Sequence, residues 1–158
     1  MHPITIYAEL HSAVRRPNLE FYLNNQPLLL EDCKIVRFSQ FQENIIFHLT
    51  AESLLTDNVL QIIMKDKTDN DIINVNGKYS DHCIKIKEIA IDDIKFQTIL
   101  FKVGRFEHSM PNEWVDEMNK KGYQIEPCYI NATDINLNGT LTINFSTPLW
   151  EWWCNHYE

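Results

Sequence analysis

Glycine is scarce in this chain, and the short motifs of common enzymes are missing. Only four glycines occur among 158 residues, so a glycine-rich loop that cradles a phosphate is poorly supported. No Gly-x-Ser-x-Gly elbow and no His-Glu-x-x-His sequence is present. A Cys-His nucleophile pair or a pair of carboxylates needs only to meet in space, but no spacing in the sequence singles one out. We therefore expect a protein that is not an enzyme.

Basic residues are in the minority, and long apolar runs are absent. The chain has 14 Lys and Arg against 22 Asp and Glu, which gives a net charge of −8. A surface this acidic repels phosphate backbones and anionic membranes, so we expect neither nucleic acid nor a membrane as a partner. No apolar run reaches spanning length and no secretory leader is apparent, so we expect an intracellular product that leaves a cell only by lysis or assembly.

Cysteine is present but never in a pattern typical of a bridge or a metal site. The four cysteines, Cys33, Cys83, Cys128 and Cys154, are dispersed and form no C-x-x-C pair. Without a secretory context, buried free thiols are the expectation. Only Cys154 and His156 approach the clustering that a zinc site needs, so zinc is disfavoured.

Alternation of apolar and polar residues with a period of two is the main positive feature. Four segments show it and are predicted to be half-buried strands, with apolar faces formed by Ile4/Ile6/Ala8/Leu10, Leu19/Phe21/Leu23, Ile45/Phe47/Leu49 and Leu60/Ile62/Met64. About eight such strands with one or two short helices predict a mainly β fold. The expected architecture is an antiparallel β-sandwich, jelly-roll-like, with the helices in the C-terminal third.

The face of each strand on which the apolar residues lie supports three local predictions. A two-residue turn at Asp92-Asp93 would pair Ile91 with Ile94, apolar to apolar, so a hairpin is predicted there. A turn at Asn138-Gly139 would mismatch the two faces, so one strand through Ile135 and Phe145, bent at Gly139, is preferred. The apolar side switches between Ile86 and Ile89, which predicts a bulge or a break near Lys87-Glu88.

Two helices are predicted near the C-terminus. The first begins at Pro111, places Trp114 and Met118 on one side, and stops at Gly122. The second starts at Thr147-Pro148. Its inner face would carry Trp150, Trp153 and Tyr157, and Trp152 would face away from these neighbours.

A polar loop between two strongly β-forming segments is the most distinctive stretch. It runs from Asp66 to Asp81 and carries Asp66, Asp69, Asn70, Asp71, Asn74, Asn76 and Asp81. Carboxylate and amide oxygens are the ligands of calcium, although the EF-hand spacing is absent. The alternative is a solvated hairpin loop, rich in Asp and Asn because these residues tolerate turns.

Several aromatic residues lie off the predicted apolar faces. They are Tyr7, Tyr22, Tyr79, Tyr123, Tyr129 and Trp152. Flat rings on a sheet can grip neutral sugars, and we select Tyr79 and Trp152 as candidate ligand contacts. The alternatives are that strands accept aromatics on either face, and that the Trp-rich C-terminus packs in the core or forms a homo-oligomer interface.

Residues 4–96 carry short matches to a known family. The matching stretches are Ile6-Tyr7-Ala8-Glu9, Asn18 to Asn25, Asn58 to Ile62, and Asp81 to Ile86 leading to Ile89-Ala90-Ile91-Asp92. They resemble the calcium-dependent xylan-binding type of carbohydrate-binding module, a small β-sandwich. The resemblance implies that Asp81, just before the last core strand, helps to hold calcium beside the sugar. Asp66 and Asp71 are candidate calcium ligands because of their proximity to Asp81, and Glu9 is a further metal candidate.

The rest of the chain resembles uncharacterised proteins of tailed bacteriophages. The matching residues include Arg105-Phe106, Lys121-Gly122 and Pro148 to Trp152. The resemblance implies a single domain over 1–158, with a module-like core at 1–96 and an extension at 97–158 packed on it. The expected function is non-catalytic binding of a glycan or a neighbouring virion protein, in the virion or host cytoplasm. The alternatives are a purely structural assembly protein and a small inhibitor of a host protein.

Overall fold

The structure is a computed structural model of the whole 158-residue chain. It describes residues 1–11, 15–39, 42–71, 73–75, 77–80 and 83–157, with the backbone alone for residues 69, 73–75 and 78–80. Strands account for 54% of the residues and helices for 18%. Within the described residues, no helix has the length and apolar character needed to cross a membrane.

The first sheet contains six antiparallel strands from both ends of the chain. They are β1 (His2–His11), β4 (Leu29–Ser39), β5 (Gln42–Ala51), β9 (Cys83–Ile91), β10 (Ile94–Phe96) and β13 (Asp134–Ile135). Their spatial order is β10-β9-β1-β5-β4, and β13 also pairs with β9. The strand β4 therefore forms one edge of this sheet.

The second sheet also contains six antiparallel strands. They are β2 (Leu19–Leu23), β3 (Gln26–Pro27), β6 (Asp57–Met64), β11 (Gly104–His108), β12 (Cys128–Ile130) and β14 (Gly139–Ser146), in the order β12-β11-β14-β6-β2-β3. Strands from 1–96 and from 97–158 thus share this sheet. A separate small hairpin consists of β7 (Ile73–Val75) and β8 (Lys78–Ser80).

The core lies between the two sheets, as the alternating sequence predicts. Ile4, Ile6 and Leu10 of β1 and Leu60 and Ile62 of β6 are all fully buried, while their neighbours along each strand are more exposed. Each fully buried aliphatic side chain contributes about 1.5–3 kcal/mol. The mainly β, antiparallel sandwich is confirmed.

Among the described residues, three α-helices accompany the sheets: α1 (Thr98–Val103), α2 (Asn112–Lys120) and α3 (Leu149–His156). The sequence did not predict α1. The helix α2 starts one residue after Pro111, and it ends before Gly122, whose φ of +93° favours glycine. The helix α3 follows Pro148, as predicted.

Two of the three local predictions are confirmed and one is wrong. Asp92 and Asp93 both have positive φ, and Ile91 pairs with Ile94 in a tight hairpin. The register of β9 against β1 shifts opposite Tyr7 and Ala8, where Glu88 and Ile86 are the partners, so Lys87 is the bulged residue. The predicted continuous strand through Gly139 does not form, because β13 belongs to the first sheet and β14 to the second.

The four cysteines are thiols, but they are less buried than expected. Cys33 and Cys154 are exposed, and Cys83 and Cys128 are half-buried. Cys33 lies on the edge strand β4 and Cys154 on the outer side of α3, so neither position is covered by the opposite sheet.

Candidate functional site

An aromatic cleft opens beside α2, between α1 and the paired strands β11 and β12. Its volume is about 620 Å³, which falls in the range of small-molecule sites. The lining residues that define the aromatic cleft are Phe101, Phe106, Trp114, Met118, Tyr123, Ile125, Tyr129, Ile130, Asn131, Ala132, Thr133, Asp134, Asn136 and Leu137.

The first wall of the cleft is the turn that follows α2. Gly122 allows the chain to reverse, and the Tyr123 amide donates to the Met118 carbonyl over 3.1 Å. The Ile125 amide then donates to Asn119 Oδ1 over 3.0 Å. The Glu126 amide donates to the Tyr129 hydroxyl over 3.1 Å, which ties the turn to β12. These bonds hold the Tyr123 ring at the rim of the cleft.

The second wall is the segment after β12, which lies very close to the start of β11. The Ala132 amide donates to the Gly104 carbonyl over 2.9 Å. A Cβ atom at position 104 would overlap the Ala132 carbonyl oxygen, so this approach requires glycine. Asn131 has a φ of 54°, which turns the chain across the mouth of the cleft.

The cleft combines exposed apolar surface with polar groups at one end. Tyr123 is 58% exposed and Ile130 is 74% exposed, although both are large side chains. The amides of Asn131 and Asn136 and the carboxylate of Asp134 lie along the same cleft and are exposed. Rings offer a flat apolar surface, and amides and carboxylates can bond hydroxyl groups.

Sequence reasoning located only part of this cleft. The sequence singles out Tyr123 and Tyr129 as aromatics off the apolar faces, whereas it places Trp114 only on the apolar side of a predicted helix. In the structure α2 has no fully buried residue, and Trp114 and Met118 are half-buried. A helix whose apolar side is incompletely covered leaves a groove, and that outcome depends on tertiary packing.

Two predicted metal candidates come together around a guanidinium group. Arg15 Nη1 lies 2.8 Å from Asp66 Oδ2, and Arg15 Nε lies 2.8 Å from Asp71 Oδ1. The Asp71 carboxylate is buried and also accepts from the Thr68 amide over 2.7 Å. Burial acts to raise the pKa of Asp66, but bonds from the Asn18 amide and from Arg15 outweigh it, so this pKa lies below its usual value.

The other predicted metal candidates are placed elsewhere or lie outside the described residues. Glu9 accepts from His11 over 2.9 Å and lies 3.8 Å from Lys87; chiefly through the His11 bond, its pKa is lowered. Asp81 is outside the described residues. Tyr79 belongs to β8, but its side chain is also outside them.

The described residues alone do not form a complete calcium site. No three His, Cys, Asp or Glu side chains among them converge in a group that could hold a metal. Arg15 already supplies positive charge to Asp66 and Asp71. Asp66 Oδ1 is buried and has no hydrogen-bond partner in this part of the chain. The described residues thus offer fewer oxygens than the six to eight that calcium takes.

The orientation predicted for the C-terminal helix is wrong. Trp152 is only 8% exposed, and its ring packs 5.0 Å from Phe96 and 6.3 Å from Phe145. Trp150, Trp153 and Tyr157 instead form a stack, with centroid distances of 5.2 Å and 4.3 Å. Trp150 and Tyr157 are exposed, whereas Trp153 is half-buried and its indole N–H donates to the Lys95 carbonyl over 3.0 Å. The buried Trp152 ring offers little surface to a ligand, whereas the rings of Trp150 and Tyr157 are accessible.

Comparisons with known proteins give similarity to solved structures alone. No family model matches the chain, and no curated protein matches it. One similar structure is the carbohydrate-binding module vCBM60 in complex with galactobiose, at 9% identity and a TM-score of 0.49, covering 90% of this chain and 98% of that one. A selenomethionine form of vCBM60 gives 10% identity and a TM-score of 0.49, covering 90% of each chain; its description links two families of calcium-dependent carbohydrate-binding modules by circular permutation.

Proposed function

We propose that this chain is a non-catalytic binding protein that holds a neutral glycan in the aromatic cleft. The observation that carries the proposal is the exposure of Tyr123 and Ile130 beside Trp114, next to the amides of Asn131 and Asn136. Sugar rings have an apolar face and a rim of hydroxyl groups. The cleft matches both, because it has aromatic surface for stacking and short polar side chains for hydrogen bonding.

The charge of the chain favours a neutral ligand over an acidic one. The net charge is −8, and the exposed Asp134 carboxylate lines the cleft itself. A uronic acid or a phosphorylated sugar would meet repulsion there. A neutral hydroxyl can instead donate to Asp134, and a charge-assisted bond of this kind is stronger than a neutral one.

The direct test is binding to neutral oligosaccharides. A glycan array identifies a ligand, and calorimetry measures its dissociation constant for the chain and for Trp114→Ala and Tyr123→Ala. Each loss of a stacking ring should weaken binding about tenfold, and Tyr123→Phe should keep most of the affinity. Trp150→Ala and Tyr157→Ala remove exposed rings on α3 and serve as matched controls. Absence of any neutral-glycan binding, or equal losses in the controls, would overturn the proposal.

The proposal also has a calcium-assisted form, in which Asp81 acts together with Asp66 and Asp71. It derives from the family resemblance, and Asp66 Oδ1 is the described atom that would be available to a cation. Calcium bound to the folded state alone would raise the melting temperature, and Asp81→Ala would abolish the rise. No rise at millimolar calcium removes this form and leaves the cleft proposal standing.

The biological setting that we propose is the virion of a tailed bacteriophage, on the strength of the sequence resemblance. A second candidate function belongs to the same setting, namely docking to a neighbouring virion subunit. The exposed rings of Trp150 and Tyr157, which stack on Trp153, favour it, because exposed aromatic clusters act as interface anchors. Binding to virion proteins that Trp150→Ala weakens and Tyr123→Ala does not would support this second function.

A further inference from the structure

The strand β4 is an edge strand with an unusual degree of exposure. It runs over Leu29–Ser39, and ten of its eleven residues are exposed. It pairs with β5 on one side, and no described strand pairs with its other side. No described strand uses the backbone groups on that outer side, which makes such an edge a template for pairing, although the Cys33 amide already donates to Asp32 Oδ1 over 2.8 Å.

The two faces of β4 can be assigned from its register with β5. Leu30, Cys33 and Ile35 lie opposite Leu49, Phe47 and Ile45, which are buried, so these three residues are on the inner face. On the outer face, Leu29 lies opposite Thr50, Asp32 opposite His48, Lys34 opposite Ile46 and Val36 opposite Asn44.

Apolar side chains on both faces of β4 are left uncovered. On the inner face, Leu30 and Cys33 are exposed, although their neighbours on β5 are buried in the core. On the outer face, Leu29 is 70% exposed and Val36 is also exposed. The opposite sheet therefore does not extend over β4, and a second strand beside it would cover these groups.

The register between β4 and β5 shifts between Leu30 and Asp32, so Glu31 is the extra residue of a bulge. This bulge determines which residues can face each other if β4 meets another β4. Glu31 is left unpaired in each copy. In an antiparallel arrangement centred on Cys33, residues of the inner face then lie opposite inner-face residues of the second copy, and outer-face residues lie opposite outer-face residues. A centre at Lys34 would oppose two ammonium groups, and a centre at Asp32 would oppose two carboxylates.

We propose that β4 pairs antiparallel with β4 of a second copy of this chain, around a two-fold axis at Cys33. In this arrangement Asp32 faces Lys34 of the second copy, and the same contact occurs again across the axis. Leu30 faces Ile35 of the second copy, and Leu29 faces its Val36. Opposite charges meet each other and apolar residues meet each other, which are the cross-strand pairs that stabilise antiparallel sheets.

The interface differs from a site on the Trp-rich helix α3, and it leaves the aromatic cleft open. The cleft is built from α1, α2, β11, β12 and the segment after β12, which includes β13; β13 pairs with β9, whereas β4 lies at the far edge of that sheet, beyond β1 and β5. A dimer through β4 would therefore carry two clefts, and it does not depend on the glycan proposal. Failure of the dimer proposal would be seen in the molecular mass of the protein in solution, whereas failure of the glycan proposal would be seen in sugar binding.

The test is a charge exchange measured by sedimentation equilibrium on the full chain. Asp32→Lys and Lys34→Asp each place like charges opposite each other twice, and each should raise the dimer dissociation constant about tenfold or more. The double variant D32K/K34D restores opposite charges and should recover dimerisation. Asp116→Lys makes the same charge change on α2 and should leave the mass distribution unchanged, as should Trp150→Ala.

A cross-link provides the second measurement and tests the register. A short bismaleimide should join two copies through Cys33 in the Cys154→Ser variant and should fail when Cys33→Ser is added. Circular dichroism shows whether each variant is folded. A monomeric wild-type chain at high concentration, a dimer that Asp32→Lys leaves intact, or a double variant that does not recover would each overturn the proposal.

Discussion

Arg15 Nε and Asp71 Oδ1 lie 2.8 Å apart, yet the Arg15 side chain is 41% exposed and that of Asp71 only 3%. A buried carboxylate is thus paired with a cation that reaches in from the surface. The same guanidinium contacts Asp66, so one surface residue compensates two acidic ones. The acidic loop that suggested a cation site on sequence grounds does contact a cation, and that cation is part of the chain.

Arg15→Met should destabilise the fold more than its exposure suggests. Methionine retains much of the apolar stem and removes the charge that balances Asp71, so we expect a loss of about 2–3 kcal/mol in the free energy of unfolding. Lys65→Met is the control, because it breaks the exposed Lys65–Glu20 pair and should cost far less than Arg15→Met. Urea denaturation of both variants measures the two values, and equal losses would contradict the expectation.

The pH dependence of stability should include a contribution from Glu43. Hydrogen bonds from Arg16 lower the pKa of this buried carboxyl below 4.5, against the opposing effect of burial, and Arg37 adds to the lowering. A carboxyl with a lower pKa in the folded state stabilises the fold above its unfolded pKa. That stabilisation is lost as pH falls through the folded pKa.

The variant Glu43→Gln isolates this contribution. At pH 7 it should be less stable than the wild type by about 2 kcal/mol, because the charged hydrogen bonds from two guanidinium groups are weakened. The difference should shrink as pH falls below about 4.5 and approach zero once Glu43 is protonated in both states. Glu113→Gln removes an exposed carboxylate on α2 and should give a much smaller difference. A difference for Glu43→Gln that stays constant down to pH 3 would refute the assignment.

Alternation predicted those strands that have one buried face. β1, β5 and β6 were readable because Ile4, Phe47 and Leu60 face the core while their neighbours do not. The edge strand β4 was not predicted, since it has no buried face and therefore no alternation to read. The hairpin at Asp92-Asp93 was readable because turn and register are determined locally.

Features that depend on contacts distant in sequence were not predictable in this way. A period of 3.6 residues fits Trp150, Trp153 and Tyr157 as well as Leu149, Trp152 and His156, and only packing against Phe96 and Phe145 decides which side is inside. The strand break at Gly139 has a similar origin, because the chain changes sheets there. The cleft likewise needs Gly104 to lie beside Ala132, although these two residues are far apart in the sequence.

Gly104→Ala should affect stability and the cleft together. Its methyl group would overlap the Ala132 carbonyl, and the Leu100 carbonyl lies 2.8 Å from the same point, so backbone must move. Overpacking of this kind costs about 1–3 kcal/mol, and we expect a value near the upper end. In Gly122→Ala the added methyl group would have no atom within contact distance. The alanine would only have to adopt the φ of +93°, so the substitution should cost about 1 kcal/mol. Thermal melts compare the stabilities of the two variants. A loss of stability in Gly104→Ala that is no larger than the loss in Gly122→Ala would contradict the packing of Gly104 against Ala132.

The contrast between two neighbouring tryptophans tests the orientation of α3. Trp152→Ala should cost about 3–5 kcal/mol, because it removes a buried ring that packs on Phe96 and Phe145 and leaves a cavity. Trp150→Ala removes a ring that is mostly in solvent and stacks on Trp153, so it should cost less than about 1 kcal/mol. Chemical denaturation provides both numbers under one condition. The reverse order would show that α3 packs on the sheets through Trp150, as the periodicity alone suggested, and it would then place Trp152 on the surface as an available ligand contact.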